Sequence, residues 1–110
     1  MPHRVEKLLM DVQIACSEIL VFVEGKDFEM FIDDRMLQLA LEREFEIIGE
    51  ALLRLERIEP EALNEKIPEY RKIIGFRNLV AHGYDIIDDA ALWDLTQSHV
   101  PKLLSKIDKY

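Results

Sequence analysis

Residues 33–55 read DDRMLQLALEREFEIIGEALLRL, and this stretch decides the fold. Apolar residues recur in it at spacings of three and four, which predicts one long amphipathic helix. The apolar stripe consists of Met36, Leu37, Ala40, Leu41, Phe45, Ile47, Ile48, Ala51, Leu52 and Leu55. Asp33 and Asp34 suit its first turn, where carboxylates meet the positive end of the helix dipole. Because the stripe is wider than one partner needs, we expect this helix to be the central one.

The segment before this helix predicts a second long helix and a short one. Val5, Leu8, Leu9, Val12, Cys16, Ile19, Leu20 and Val23 form a single apolar stripe at helical spacing. Pro2 fits the first turn of that helix, and Gly25 fits the position just past its end. A short extra helix can form at residues 28–32, capped by Asp27.

Two further helices follow the central one. A connector carries one short helical turn at residues 61–63, and Pro68 then opens a third helix that runs to about Gly83. The fourth helix begins at Asp88 or Asp89, and its apolar side comprises Leu92, Trp93, Leu95, His99, Val100, Leu103, Leu104 and Ile107.

Two residues inside the helices predict local features. Gly49 costs about 1 kcal/mol relative to alanine in a helix interior, so we expect a helix crossing there that exploits its small size. Pro101 removes a backbone hydrogen bond and clashes with the preceding turn, so the C-terminal helix should kink or break near residues 97–100. The sequence contains no alternating apolar pattern of the kind that indicates strands. The predicted fold is all-α, an up-and-down bundle of four main helices with a short extra helix.

The composition suits a single cytoplasmic domain spanning residues 1–110. Hydrophobic residues make up 49% and charged residues 33%, which supports a packed core. No apolar run approaches the length of a membrane span, and the N-terminus lacks the apolar stretch of a signal peptide. The single cysteine, Cys16, lies on a buried stripe and is expected to fill the core. With no Cys or His cluster at metal-ligand spacing, we expect neither a metal nor a cofactor.

The net charge of −8 opposes general attraction to nucleic acid, because phosphate contacts require Lys and Arg. A nucleic-acid-binding function therefore requires basic groups to gather in one cleft. The acidic excess would then face elsewhere, or face a basic partner.

Residues 77–84, RNLVAHGY, place polar side chains in an otherwise apolar helix. Arg77, Asn78, His82 and Tyr84 follow the order Arg, any four residues, His, any residue, Tyr, with Asn directly after Arg. This pattern resembles the ribonuclease motif of the HEPN superfamily in its HepT-like form. The residues around the motif also match the family, namely Ile67 and Pro68, Ile73 to Phe76, and Leu92 and Trp93. In the central helix, Ile47 to Ala51 resembles the family's Ile-Gly-Glu-Ala signature. The resemblance covers nearly the whole chain.

The resemblance implies a metal-independent endoribonuclease whose composite active site lies at a homodimer interface. Arg77 would stabilise the phosphate charge and His82 would act as general acid or general base, with Asn78 in a supporting role. Tyr84 would accept AMP from a cognate minimal nucleotidyltransferase, the antitoxin of a type VII-like toxin–antitoxin pair in which this chain is the toxin. Glu50 of the signature would hold Arg77 or a backbone group in place.

Simpler interpretations exist for each of these residues. Arg77 alone could be a solvated helix arginine, and His82 could balance the helix dipole next to a Gly83 cap. Tyr84 could be a packed aromatic with its hydroxyl at the surface. Two other functions also remain open: a non-catalytic nucleotide- or phosphate-binding partner subunit of a nucleotidyltransferase, and a purely structural helical dimer.

Overall fold

The computed structural model describes the backbone of residues 2–81 and 88–110, and the side chains of residues 4–76 and 88–110. Within these ranges the chain forms helices and no strands, which confirms the predicted all-α class. The helices are α1 (Pro2–Val23), α2 (Phe28–Ile32), α3 (Arg35–Ile58), α4 (Pro60–Lys66), α5 (Tyr70–Ala81), α6 (Asp89–Asp94) and α7 (Val100–Asp108), with a π-helical turn at Leu95–His99 between the last two.

The ends of the first three helices follow from local chemistry. Gly25 has φ of +72°, the left-handed conformation that glycine adopts most readily, and it follows the end of α1 as expected. Asp27 caps α2 by accepting a hydrogen bond from the Met30 amide at 2.9 Å. Asp34 caps α3 by accepting one from the Leu37 amide at 3.0 Å. The two aspartates predicted for the first turn of the central helix therefore precede it, and Asp34 acts as its N-cap.

Helix α3 lies at the centre of the bundle, as predicted. It packs against both α1 and α5, and also contacts α2 and α4. Its buried apolar residues are Leu37, Leu41, Phe45, Ile48, Ala51, Leu52 and Leu55, and Gly49 is buried among them. Met36 of the predicted stripe is 82% exposed, because the buried face is narrower at the start of the helix.

The connector after α3 is more helical than expected. The single turn predicted at residues 61–63 is a seven-residue helix, α4, with Pro60 in its first turn. Pro68 does not open the third helix, because residues 68 and 69 form a turn and α5 starts at Tyr70. Helix α5 runs to Ala81, and its predicted extension to Gly83 lies outside the described residues.

The C-terminal helical segment is interrupted just before Pro101. Helix α6 begins at Asp89, as predicted, with Asp88 as its N-cap, and α-helical hydrogen bonding then gives way to the π-helical turn. The Val100 amide donates to the Leu95 carbonyl, five residues back, and Pro101 has no amide hydrogen to continue the α-helical ladder. The expected break near residues 97–100 therefore takes the form of a π-helical turn.

The core is apolar and continuous across these helices. Leu92, Val100 and Leu103 of the C-terminal segment are fully buried, and α7 packs against α1. Among the described residues, no helix is long and apolar enough to cross a membrane.

Candidate functional site

Helix α5 carries the first half of the polar motif. The backbone of Arg77 and Asn78 lies in the last turns of this helix. Ile73 and Tyr70, about one and two helical turns before position 77, are buried. His82 and Tyr84 lie outside the described residues.

Contacts of Tyr70 and Phe76 hold α5 against the central helix, α3. The Tyr70 hydroxyl donates a hydrogen bond of 2.5 Å to Oε2 of Glu56 in α3, while the Tyr70 ring is buried. The Phe76 ring packs edge-on against Phe45, with centroids 5.7 Å apart and planes at 70°. Ile73, between them, is fully buried. These contacts run antiparallel along α3 and hold residues 70–76 of α5 against it.

Glu50 lies half-buried on α3 and accepts a hydrogen bond of 3.1 Å from Nε of Arg54, one turn later. It lines two neighbouring clefts at the α1/α3 surface. The first has a volume of about 370 Å³ and is lined by Leu8, Asp11, Arg43, Glu46, Ile47, Glu50, Ala51 and Arg54. The second has a volume of about 490 Å³ and is lined by Arg4, Glu50, Arg54, Arg57 and Ile58. Glu50 and Arg54 therefore stand where the two clefts meet.

The clefts differ in their charge. In the first cleft, Asp11, Glu46 and Glu50 face Arg43 and Arg54, and Arg43 Nη1 lies 3.7 Å from Glu46 Oε1. In the second cleft, three arginines face one carboxylate. Sequence reasoning missed this basic cluster, although Arg54 and Arg57 stand at i, i+3 spacing on one helix face. The contribution of Arg4 depends on how α1 packs, which no local pattern reveals.

A second feature that sequence reasoning missed is the buried carboxyl group of Glu44. Glu44 is only 7% exposed, and no donor among the described residues reaches its buried Oε2. Burial, followed by the hydrogen bond and negative charge of Glu18, raises the pKa of Glu44 to about 7. Below about pH 7 the protonated form of Glu44 therefore predominates, and in that form it can donate a hydrogen bond to Glu18.

The described ranges hold no candidate metal site and no reactive cysteine. No set of three His, Cys, Asp or Glu side chains among these residues could hold a metal ion. Cys16 is fully buried, and burial followed by the charge of Glu44 raises the pKa of its thiol to about 12. The thiol is therefore a core side chain, as predicted, and not a nucleophile.

Comparison with known protein families shows which family this chain belongs to. The sequence pattern of the family described as "Ribonuclease HepT-like" matches residues 12–110, which include α3, α5 and the whole polar motif. The chain belongs to the HepT-like ribonuclease family.

Relatives of this HepT-like chain carry ribonuclease names. A Methanocaldococcus jannaschii protein named "Putative RNase" is 30% identical over 106 residues, which cover 94% of both chains. A second protein from that organism with the same designation is 27% identical, over 99% of this chain and 93% of its own. "Probable ribonuclease HepT" of Thermococcus cleftensis is 32% identical, over 92% of this chain and 90% of its own. No solved structure gives a significant match. Family and relatives together support ribonuclease activity for this HepT-like chain.

Proposed function

We propose that this HepT-like chain is a metal-independent endoribonuclease and that Arg77 and His82 are its catalytic residues. The observation that carries the proposal is the complete motif at residues 77–84, within a family match that covers residues 12–110. The proposed unit of function is a single HEPN-like domain, residues 1–110, acting on RNA in the cytoplasm.

Cleavage without a metal requires protein groups to supply three functions. A base removes the proton of the ribose 2′-hydroxyl, and the 2′-oxygen attacks phosphorus. A cation stabilises the extra negative charge on the phosphate oxygens, and an acid protonates the departing 5′-oxygen. The products are a 2′,3′-cyclic phosphate and a free 5′-hydroxyl. The guanidinium of Arg77 has fixed charge and forked donors suited to the phosphate oxygens.

An unperturbed imidazole changes its charge near neutral pH, so a histidine such as His82 has the right chemistry for the base or for the acid. Asn78 precedes His82 by four residues, and on a regular helix the two share a face, where the amide can orient the imidazole or donate to phosphate. Glu50, which is anchored on the central helix, is the proposed positioning residue for Arg77.

A homodimer would complete the site. On a regular helix Arg77 and His82 lie about 140° apart, so one motif alone focuses the two groups poorly. Two motifs related by a two-fold axis would supply two arginines and two histidines to one cleft, which would offset the acidic net charge locally. Apolar side chains that a partner copy could cover stand exposed on α1 and α3, namely Met10, Ile14, Val21, Met36 and Leu39.

The proposed biological role is that of the toxin in a type VII-like toxin–antitoxin pair. A cognate minimal nucleotidyltransferase would transfer AMP to the Tyr84 hydroxyl. The added phosphate would occupy the space and the cationic partners that the RNA phosphate needs, so cleavage would stop.

The deciding experiment is RNA cleavage in the presence of EDTA. Labelled total RNA is incubated with the wild-type chain and with an Arg77→Ala, His82→Ala double variant. We expect fragments ending in 2′,3′-cyclic phosphate from the wild type and intact RNA from the variant. Intact RNA with both proteins, in a folded dimer without AMP mass on Tyr84, would instead favour a nucleotide-binding partner subunit of a nucleotidyltransferase.

A further inference from the structure

We propose that the second cleft, lined by Arg4, Glu50, Arg54, Arg57 and Ile58, binds the phosphates of the RNA strand next to the proposed catalytic motif. This inference rests on the proposed ribonuclease function, which requires a basic surface that the net charge of −8 does not suggest. We call this cleft the arginine cleft.

The charges in the arginine cleft are not balanced. Its single carboxylate, Glu50, is already hydrogen-bonded to Arg54. Arg4 and Arg57 form no ion pair with any residue in the part of the chain that the structure describes. Two guanidinium groups therefore line the same cleft without an ion-pair partner among the described residues.

The remaining described arginines lie near carboxylates. Arg35 Nη1 is 3.9 Å from Glu42 Oε2, and Arg43 Nη1 is 3.7 Å from Glu46 Oε1. Arg71 Nε is 4.0 Å from Glu56 Oε2. The unpaired arginines thus coincide with one concave surface of an otherwise acidic chain. A concave surface with an excess of one sign of charge concentrates its field there, and this one, with three arginines and one carboxylate, attracts anions.

The shape and chemistry of the arginine cleft suit a strand of RNA. Guanidinium groups present forked donors that match phosphate oxygens, and they keep their charge at every physiological pH. The volume of about 490 Å³ lies in the range that accommodates a small organic ligand, such as one nucleotide unit. Ile58 is 41% exposed and adds an apolar surface against which a ribose or base can rest.

The position of the arginine cleft connects it to the proposed catalytic centre. Glu50 lines this cleft, and it is also the α3 residue that we propose to position Arg77. A strand whose phosphates contact Arg4 and Arg57 would therefore have its neighbouring nucleotides beside the motif. This predicts that the cleft contributes to RNA affinity without taking part in bond cleavage.

The test separates binding from cleavage by using the Arg77→Ala, His82→Ala chain as the background. A fluorescein-labelled RNA 20-mer is titrated, and anisotropy is followed at several KCl concentrations. Adding Arg4→Ala and Arg57→Ala should weaken binding about tenfold at low salt, since two charge-assisted contacts are lost. The slope of log K against log salt should fall by about 1.4, or about 0.7 for each phosphate contact to a single strand.

The matched control is Lys26→Ala with Lys102→Ala in the same background, which removes the same charge from exposed positions outside the cleft. The control should bind RNA within about twofold of the background. Equal affinity and equal salt slopes for the two double variants would overturn the proposal. A second outcome would also overturn it: AMP or inorganic phosphate saturates the cleft, and RNA binding is unchanged. The cleft would then be a site for free nucleotide or phosphate and not for RNA. Since binding is read in a non-cleaving chain, absence of ribonuclease activity in the wild type would leave this comparison decisive.

Discussion

Among single residues, two glutamates of α3 have environments that their sequence neighbours do not share. Glu50 stands at the junction of two clefts, and Glu44 is buried beside Glu18. Both occur in the run Glu42, Glu44, Glu46, Glu50, which looks in sequence like a solvated charged face. Their environments differ because the helix rotates by about 100° per residue, so neighbouring glutamates face different partners.

The buried Glu44 predicts how stability depends on pH. Its pKa is about 7 in the folded chain and close to 4.5 when unfolded, so the folded state binds the proton more tightly. Its contribution to stability is therefore complete below about pH 4.5 and is lost as the pH rises through about 7. Glu44→Gln should raise the free energy of unfolding at pH 8 by on the order of 3 kcal/mol and leave it nearly unchanged at pH 4.5.

Urea denaturation of the wild type and of Glu44→Gln at both pH values measures this difference. Glu46→Gln is the matched control, because Glu46 is half-buried on the same helix and pairs with Arg43. If Glu44→Gln shows the same change of stability with pH as the wild type, the buried carboxyl does not titrate as described.

For the helices, several of the boundaries follow from capping residues that can be recognised in the sequence. Asp27, Asp34 and Asp88 all cap helices, and Gly25 follows the end of α1. The start of α5 was predicted two residues early, because residues 68 and 69 form a turn across which the Tyr70 amide donates to the Ile67 carbonyl at 3.1 Å.

The cap of the central helix gives a second test. Asp34→Ala removes the acceptor of the Leu37 amide and should lower the free energy of unfolding by about 1 kcal/mol. Asp33→Ala removes the same charge from the preceding residue, whose side chain accepts no hydrogen bond in the described part of the chain. It should therefore lower the free energy of unfolding much less. Thermal or chemical denaturation compares the two, and equal losses would mean that charge near the helix dipole, and not capping, is responsible.

At the scale of the whole molecule, apolar periodicity was enough to predict an all-helical bundle with α3 at its centre. It did not predict the arginine cleft, since Arg4 and Arg57 are 53 positions apart and meet only when α1 packs on α3. The motif at residues 77–84 was found from sequence because its residues are contiguous. Clefts built from several helices need tertiary packing, and a linear pattern does not contain it.

The proposed composite site makes activity depend on assembly. The cleavage rate per chain should fall as the protein is diluted below the dissociation constant of the dimer, because a monomer would hold only one motif. Sedimentation velocity and cleavage of labelled RNA over the same dilution series measure the two quantities together. Full activity per chain in samples that sediment as monomer would contradict the composite site.

The π-helical turn at Leu95–His99 has a consequence for variation in chain length. Such a turn holds one residue more than α-helical spacing requires, and it absorbs that residue without rotating the helix that follows. Loss of one residue inside the turn would leave Val100, Leu103 and Ile107 on the side that they now bury. Loss of one residue after Val100 would swing the rest of α7 by about 100° and expose that side. Insertions and deletions among relatives should therefore collect in this turn and avoid α7.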